Sequence, residues 1–191
     1  MTSGGRAAVV AVLAVAAMTA GAACASTGTG ERVGNSEAAR RTEILAARVS
    51  LEEAVARAAS MGQEIRIAVA AAVPAGSWRP NRPPSGAGNC EGFTHTAGQS
   101  RTTGTWVLEG GIPDERWPAA LAALRSVIDR RGYGAPIVAV DRRNDHALRI
   151  YGPDDAYLWF GSGANAVLDV ATGCHLPDSK RPRSAAAGSS K

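Results

Sequence analysis

The sequence predicts an α+β domain: an antiparallel sheet of about five to six strands with two helices packed on one face. Three observations predict it. Two segments carry apolar residues at helical spacing. A β-branched, aromatic run at residues 102–108 reads as a strand between them. Then four short alternating segments crowd residues 136–172, joined by connections so short that only hairpins can make them.

The first helix is announced by Ser50-Leu51-Glu52-Glu53, a capping box in which Ser50 can accept from the Glu53 amide and Glu53 can reach back to Ser50. Leu51, Val55, Ala58, Met61, Ile65, Ala68, Val69 and Ala72 fall on one face as far as about Val73. Glu52, Arg57, Gln63, Glu64 and Arg66 take the other, and Pro74 stops the helix. That polar face is not dominated by Lys and Arg, which argues for packing on a sheet and against lying in a membrane interface. Pro80, Pro83, Pro84, Gly86 and Gly88 follow, so any strand at residues 77–79 is short and on an edge. Gly110-Gly111 ends the strand at 102–108.

The second helix begins after Ile112-Pro113-Asp114, with Asp114 as the expected cap. Trp117, Leu121, Leu124, Val127 and Ile128 share its buried face, and Gly132 suits the position just past its end. The four final strands are expected at 136–141, 146–151, 157–160 and 166–172. In the last, Leu168, Val170, Thr172 and Cys174 share one parity and Asp169 the other, so Cys174 is expected on the core side.

The N-terminus sets the address. Arg6 precedes a short apolar run and small residues ending at Gly21-Ala22-Ala23-Cys24, the layout of a secretory signal of the lipoprotein kind. Residues 1–23 are read as that signal and Cys24 as the lipidated residue. Gly21 stands where a bulky residue is usual, so two other outcomes stay open: ordinary cleavage to a secreted protein, or an uncleaved anchor. Residues 25–41 lack any apolar period, so 24–48 reads as a flexible tether. Residues 49–177 form the domain, and 178–191, rich in Ser and Ala with scattered cations, a disordered tail. An exported chain with three cysteines must account for the odd one. If Cys24 carries lipid, Cys90 and Cys174 are free to pair in an oxidising compartment, a bridge worth about 4 kcal/mol by chain entropy.

Composition excludes more than it selects. The formal net charge of +4 falls to +3 when Arg6 leaves with the signal, and the remaining charge is spread along the chain, so no nucleic-acid footprint exists. Residues 161–166 contain G-x-G-x-x-A, but Val167-Leu168-Asp169-Val170 continues as a strand where a dinucleotide site needs a helix. Gly161-Ser162-Gly163 lacks the spacing of a nucleophile elbow. His95, His146 and His175 have no metal-ligand spacing among themselves. No catalytic, cofactor or metal residue is therefore assigned; an enzyme built from these histidines and Asp141, Asp145, Asp154, Asp155 or Asp169 is the rival reading.

Trp106 and Trp117 are expected in the core. Tyr157 and Trp159 share the parity opposite to Leu158 and Phe160, so one pair faces away from it. Tyr157 and Trp159 are the candidate binding strip, unless the proline-rich loop around Trp78 covers them. Lys180-Arg181-Pro182-Arg183 is a short basic cluster of the kind that usually stays solvated, with anionic lipid or wall polymer as the alternative contact.

Residues 112–118 (Ile-Pro-Asp-Glu-Arg-Trp-Pro), the Phe160-Gly161 turn with Asn165, and above all Thr172-Gly173-Cys174-His175-Leu176-Pro177 resemble the LppA-like lipoproteins of mycobacteria and related actinobacteria. Trp78, Cys90 and Leu51-Glu52-Glu53 fit the same pattern, and the resemblance spans residues 50–177. It implies a lipid (palmitate) on Cys24, a place on the extracytoplasmic face of the cell membrane and a Cys90–Cys174 bridge. It carries no activity. The expectation is a membrane-anchored, non-enzymatic binding domain without a cofactor, whose partner is an envelope protein, a wall polymer or an apolar ligand.

Overall fold

The computed structural model describes residues 28–73 and 76–182. Three helices, α1 (Gly28–Ala47), α2 (Leu51–Ala72) and α3 (Trp117–Ile128), accompany seven strands. These are β1 (Trp78–Arg82), β2 (Ser85–Asn89), β3 (Gln99–Glu109), β4 (Ile137–Arg142), β5 (Asp145–Tyr151), β6 (Tyr157–Ser162) and β7 (Asn165–Ala171). All pair antiparallel in the order β1-β3-β7-β6-β5-β4. The short β2 pairs with the N-terminal part of β3, and β1 with its C-terminal part. Pro83 and Pro84 separate the two, so one long edge is served by two short strands.

Helices α2 and α3 pack on each other and on one face of the sheet. Ala58, Met61, Ile65 and Val69 of α2 and Leu124, Val127 and Ile128 of α3 meet Leu108, Leu148, Ile150, Leu158, Phe160, Leu168 and Val170. Period-two alternation puts every one of those strand residues on the same side. Ser50 caps α2 by accepting from the Glu53 amide at 3.2 Å. The Glu53 carboxylate pairs with Arg57 one turn on.

Asp114 does not cap α3. The helix starts after Arg116, and no side chain caps it there. Pro118 in the first turn costs nothing, because that amide would have no helical partner. Asp114 is drawn away instead, accepting from the Asn144 amide at 2.8 Å. That contact ties the β4–β5 hairpin to the segment before α3.

Where a tether is expected, residues 28–47 are helical. Local pairing supports α1: Glu37 accepts from Arg40 and Arg41, three and four residues on, and those bonds hold its carboxyl down at about 2. Tertiary contact fixes its end. Leu45 is fully buried in a second cluster with Cys90, Cys174 and Leu176. The tail also starts later than expected, since Asp178–Lys180 forms a 3₁₀ turn and Arg181 donates to the carbonyls of Ala46 and Arg48 at the end of α1. Arg181 is thus committed to a helix terminus; Arg183, like residues 1–27 with Cys24, lies outside the described residues.

Cys90 and Cys174 form a disulfide. The strand alternation that predicted the position of Cys174 stops at Ala171, because Gly173 passes the Asp154 carbonyl so closely that a Cβ would sit 1.7 Å from its oxygen. Cys174 therefore belongs to the second cluster and not to the main core. Gly173→Ala should cost about 3 kcal/mol by overpacking against backbone that cannot retreat. Gly163→Ala, whose Cβ meets only Asp145 at 3.9 Å, should stay within about 0.5 kcal/mol. Urea unfolding of the two variants tests the difference; equal midpoints would remove Gly173 from the list of structural constraints.

Candidate functional site

Tyr157 and Trp159 lie on the sheet face opposite α2 and α3. One register row runs Thr105–Asp169–Trp159–Arg149–Ile137 across five strands, and the next places Ala171, Tyr157 and Tyr151 side by side. Both candidate residues are half-buried, while Tyr151 is 50% exposed. The expected cover from Trp78 is not there. Trp78 pairs with Leu108 and packs against the main core on the helix side, because its register gives it the parity of Leu108.

The Arg149 guanidinium lies 5.5 Å from the Trp159 ring centre, a cation–π arrangement. Tyr151 and Tyr157 pack edge-tilted at 5.9 Å. Burial pushes the Tyr157 hydroxyl above its ordinary value, so it stays a donor. Asp169 is half satisfied: Oδ2 accepts from Thr105 at 3.3 Å, and Oδ1 is buried with no partner among the described residues. Beyond the tyrosines the face runs into a groove of about 630 Å³, walled by Tyr151, Tyr157, Phe93 and the Cys90–Cys174 bridge, with Glu91 and Asp155 at its rim. Arg149 and Phe93 were missed from sequence. Arg149 shares the parity of Tyr151 and could have been read; Phe93 sits in an irregular loop with no period to follow.

The histidines divide by environment. His146 stacks on Trp117 at 4.8 Å, and Trp117 stacks in turn on Phe160 at 5.3 Å. Its Nδ1 lies 2.9 Å from Asp141 and its Nε2 3.1 Å from Asp114. With each ring nitrogen on a carboxylate, His146 has neither one free to take a proton from a substrate. Its role here is to join β4, β5 and the start of α3. Among the described residues no group of three or more His, Cys, Asp or Glu could hold a metal.

His175 is 4% exposed, and its Nδ1 donates to the Val49 carbonyl at 3.0 Å. Since a carbonyl can only accept, the proton is on Nδ1 and the lone pair on Nε2. Burial holds its pKa below the ordinary value. Asp154, the candidate acid whose charge acts on His175, is taken by Arg48, which lies 3.1 Å from its carboxylate.

Folding thus keeps His175 neutral at a pH where the unfolded chain already takes up a proton, from about 6.5 downward. Between the lowered folded pKa and that value the unfolded state holds more protons. The stability gained from a neutral His175 is complete above about pH 6.5 and is lost as pH falls through the folded value. In urea titrations at pH 7.5 and 5.0, wild type should lose more stability on acidification than His175→Asn, whose amide can still donate to Val49. Equal losses would refute the assignment.

A solved structure shares this architecture. The crystal structure of LppA from Mycobacterium tuberculosis is similar, with a TM-score of 0.68 at 16% identity over 79% of this chain and 92% of that one. A DUF4853 family protein from Actinomyces odontolyticus aligns at 0.47 and 18% identity over 69% and 72%. No curated protein matches the sequence. The sequence pattern of the LppA family, described as a lipoprotein confined to pathogenic Mycobacterium, matches residues 27–178, and the chain belongs to that family.

Proposed function

We propose that this chain is an extracytoplasmic lipoprotein, acylated on Cys24, whose sheet face opposite α2 and α3 binds a partner protein of the envelope. One observation carries the reading: Arg149, Tyr151, Tyr157 and Trp159 sit together on a face that α2 and α3 leave alone. Arg, Tyr and Trp are the residue types that dominate binding energy at protein interfaces, because each combines a large apolar area with a directional polar group. The adjoining groove offers a concave anchor point, and neighbouring Ile137 is 54% exposed on the edge strand. Membership of a lipoprotein family supports the envelope address. No helix among the described residues is long and apolar enough to cross a membrane; the assignment of lipid to Cys24 rests on the signal-like residues 1–23 that precede it.

The enzymatic reading has less support. Among the described residues the free ring nitrogen of His175 has no free carboxylate beside it to orient or share a proton, and both nitrogens of His146 are occupied.

Two measurements test the proposal. Intact mass of the membrane fraction should show acyl chains on wild type that disappear in Cys24→Ala, with two thiols appearing only on reduction; an unmodified Cys24 overturns the anchoring. A photo-crosslinking residue at Tyr157 should give one discrete adduct in cells, and the same residue at Glu53 on the helix layer should not. Trp159→Ala should reduce the Tyr157 adduct at least fivefold, as for the loss of an interface anchor. Equal adducts from both positions, or none from Tyr157, would end the reading of this face as an interface.

A further inference from the structure

At the end of the domain where α2 begins, a cavity of about 320 Å³ opens between α2, the segment after α3, the β5–β6 turn and the end of the last strand. Its volume falls at the small end of the range for ligand sites. The floor is apolar, formed by the buried Ala54, Ala58, Met61 and Ala156; small residues at 54 and 58 leave the space a larger side chain would fill.

Two polar groups stand in the walls. His175, 4% exposed, has its Nε2 lone pair without a partner among the described residues, although that atom is not sealed from solvent. Tyr133 is half-buried with its hydroxyl likewise unpartnered among the described residues, and burial pushes its pKa up to about 12, so it remains a hydroxyl. An unpaired polar group costs free energy unless something fills the place, which here is solvent or ligand.

The rim is cationic. Arg57, Arg130 and Arg131 border the opening, and their carboxylate partners are Glu53 and Glu64, so three positive charges face two negative ones. A guanidinium has five donors, and these pairs leave several free. The remaining acid in the wall, Asp154, is paired with Arg48, which it shares with Asp155 outside the wall.

We infer that this cavity binds a small hydroxylated organic anion. Its charged group meets the arginine rim, its hydroxyl donates to His175 Nε2, and its short apolar part lies on Ala54, Ala58 and Met61. Each requirement excludes a neighbour in chemical space. A simple carboxylate has no donor for His175, an uncharged diol ignores the arginines, and a long acyl chain exceeds the volume. The inference is independent of the sheet face, which lies on the other side of the sheet.

The test is an NMR titration of the full-length protein with 3-hydroxybutyrate, following the His175 ring nitrogens, with butyrate and 1,3-butanediol as comparison probes. A saturable shift at His175 is expected, with each comparison probe at least fivefold weaker. His175→Asn keeps the donor to Val49 and removes Nε2, and should weaken 3-hydroxybutyrate about tenfold. Arg57→Gln with Arg130→Gln, both on exposed side chains, should weaken it at least fivefold and flatten its salt dependence. This pair decides the matter if His175→Asn does not fold. No shift at His175, equal affinity for the three probes, or full affinity after the arginine substitutions would overturn the inference.

Discussion

Arg48 holds this domain together at its least regular point. Its side chain is 15% exposed and donates to the carbonyls of Asp154 and Cys174, both at 3.0 Å. It also pairs with the Asp154 and Asp155 carboxylates and lies 4.9 Å from the Phe93 ring centre. One guanidinium therefore fastens the corner between α1 and α2 to the β5–β6 turn, the disulfide and the Cys90 loop. A charge this deeply placed is tolerable only because its donors and charge are met on several sides. Arg181 repeats the device from the C-terminal side, closing the end of α1 with two more bonds to carbonyls.

Around that point the segment Thr172-Gly173-Cys174-His175-Leu176-Pro177 acts as a structural fastening. Thr172 Oγ accepts from the Arg101 amide, and His175 exchanges backbone bonds with Gln99. The Leu176 carbonyl accepts from the Leu51 amide, and its side chain is fully buried. A motif specific enough to be recognisable in sequence is thus accounted for by close packing. Only His175, whose second nitrogen is spare, has chemistry left over.

The two sheet faces divide the labour. The helix side is a continuous apolar core with the Phe160–Trp117–His146 stack at one margin. The other side mixes aromatic, cationic and acidic groups and includes the partly unpartnered Asp169. Burying such a mixed face under a helix would strand polar groups, whereas contact with a polar surface can satisfy them.

Period and parity alone determined most of the fold here. Leu168 and Val170 inside, Tyr157 and Trp159 opposite Leu158 and Phe160, and the hairpins of the last four strands all follow from geometry that acts between residues close in sequence. What such rules could not reach was decided in three dimensions. Residues 28–47 show no apolar period, yet Leu45 finds a pocket made by two cysteines and Leu176 from far along the chain. Asp114 was a reasonable cap, but Asn144 and His146 bid for the same carboxylate. Trp78 went to the core because its strand register matched Leu108. The His175 cavity appears only when four separated segments meet. Local sterics are written in neighbouring residues; competition among distant partners for one polar group or one gap is settled by the tertiary fold.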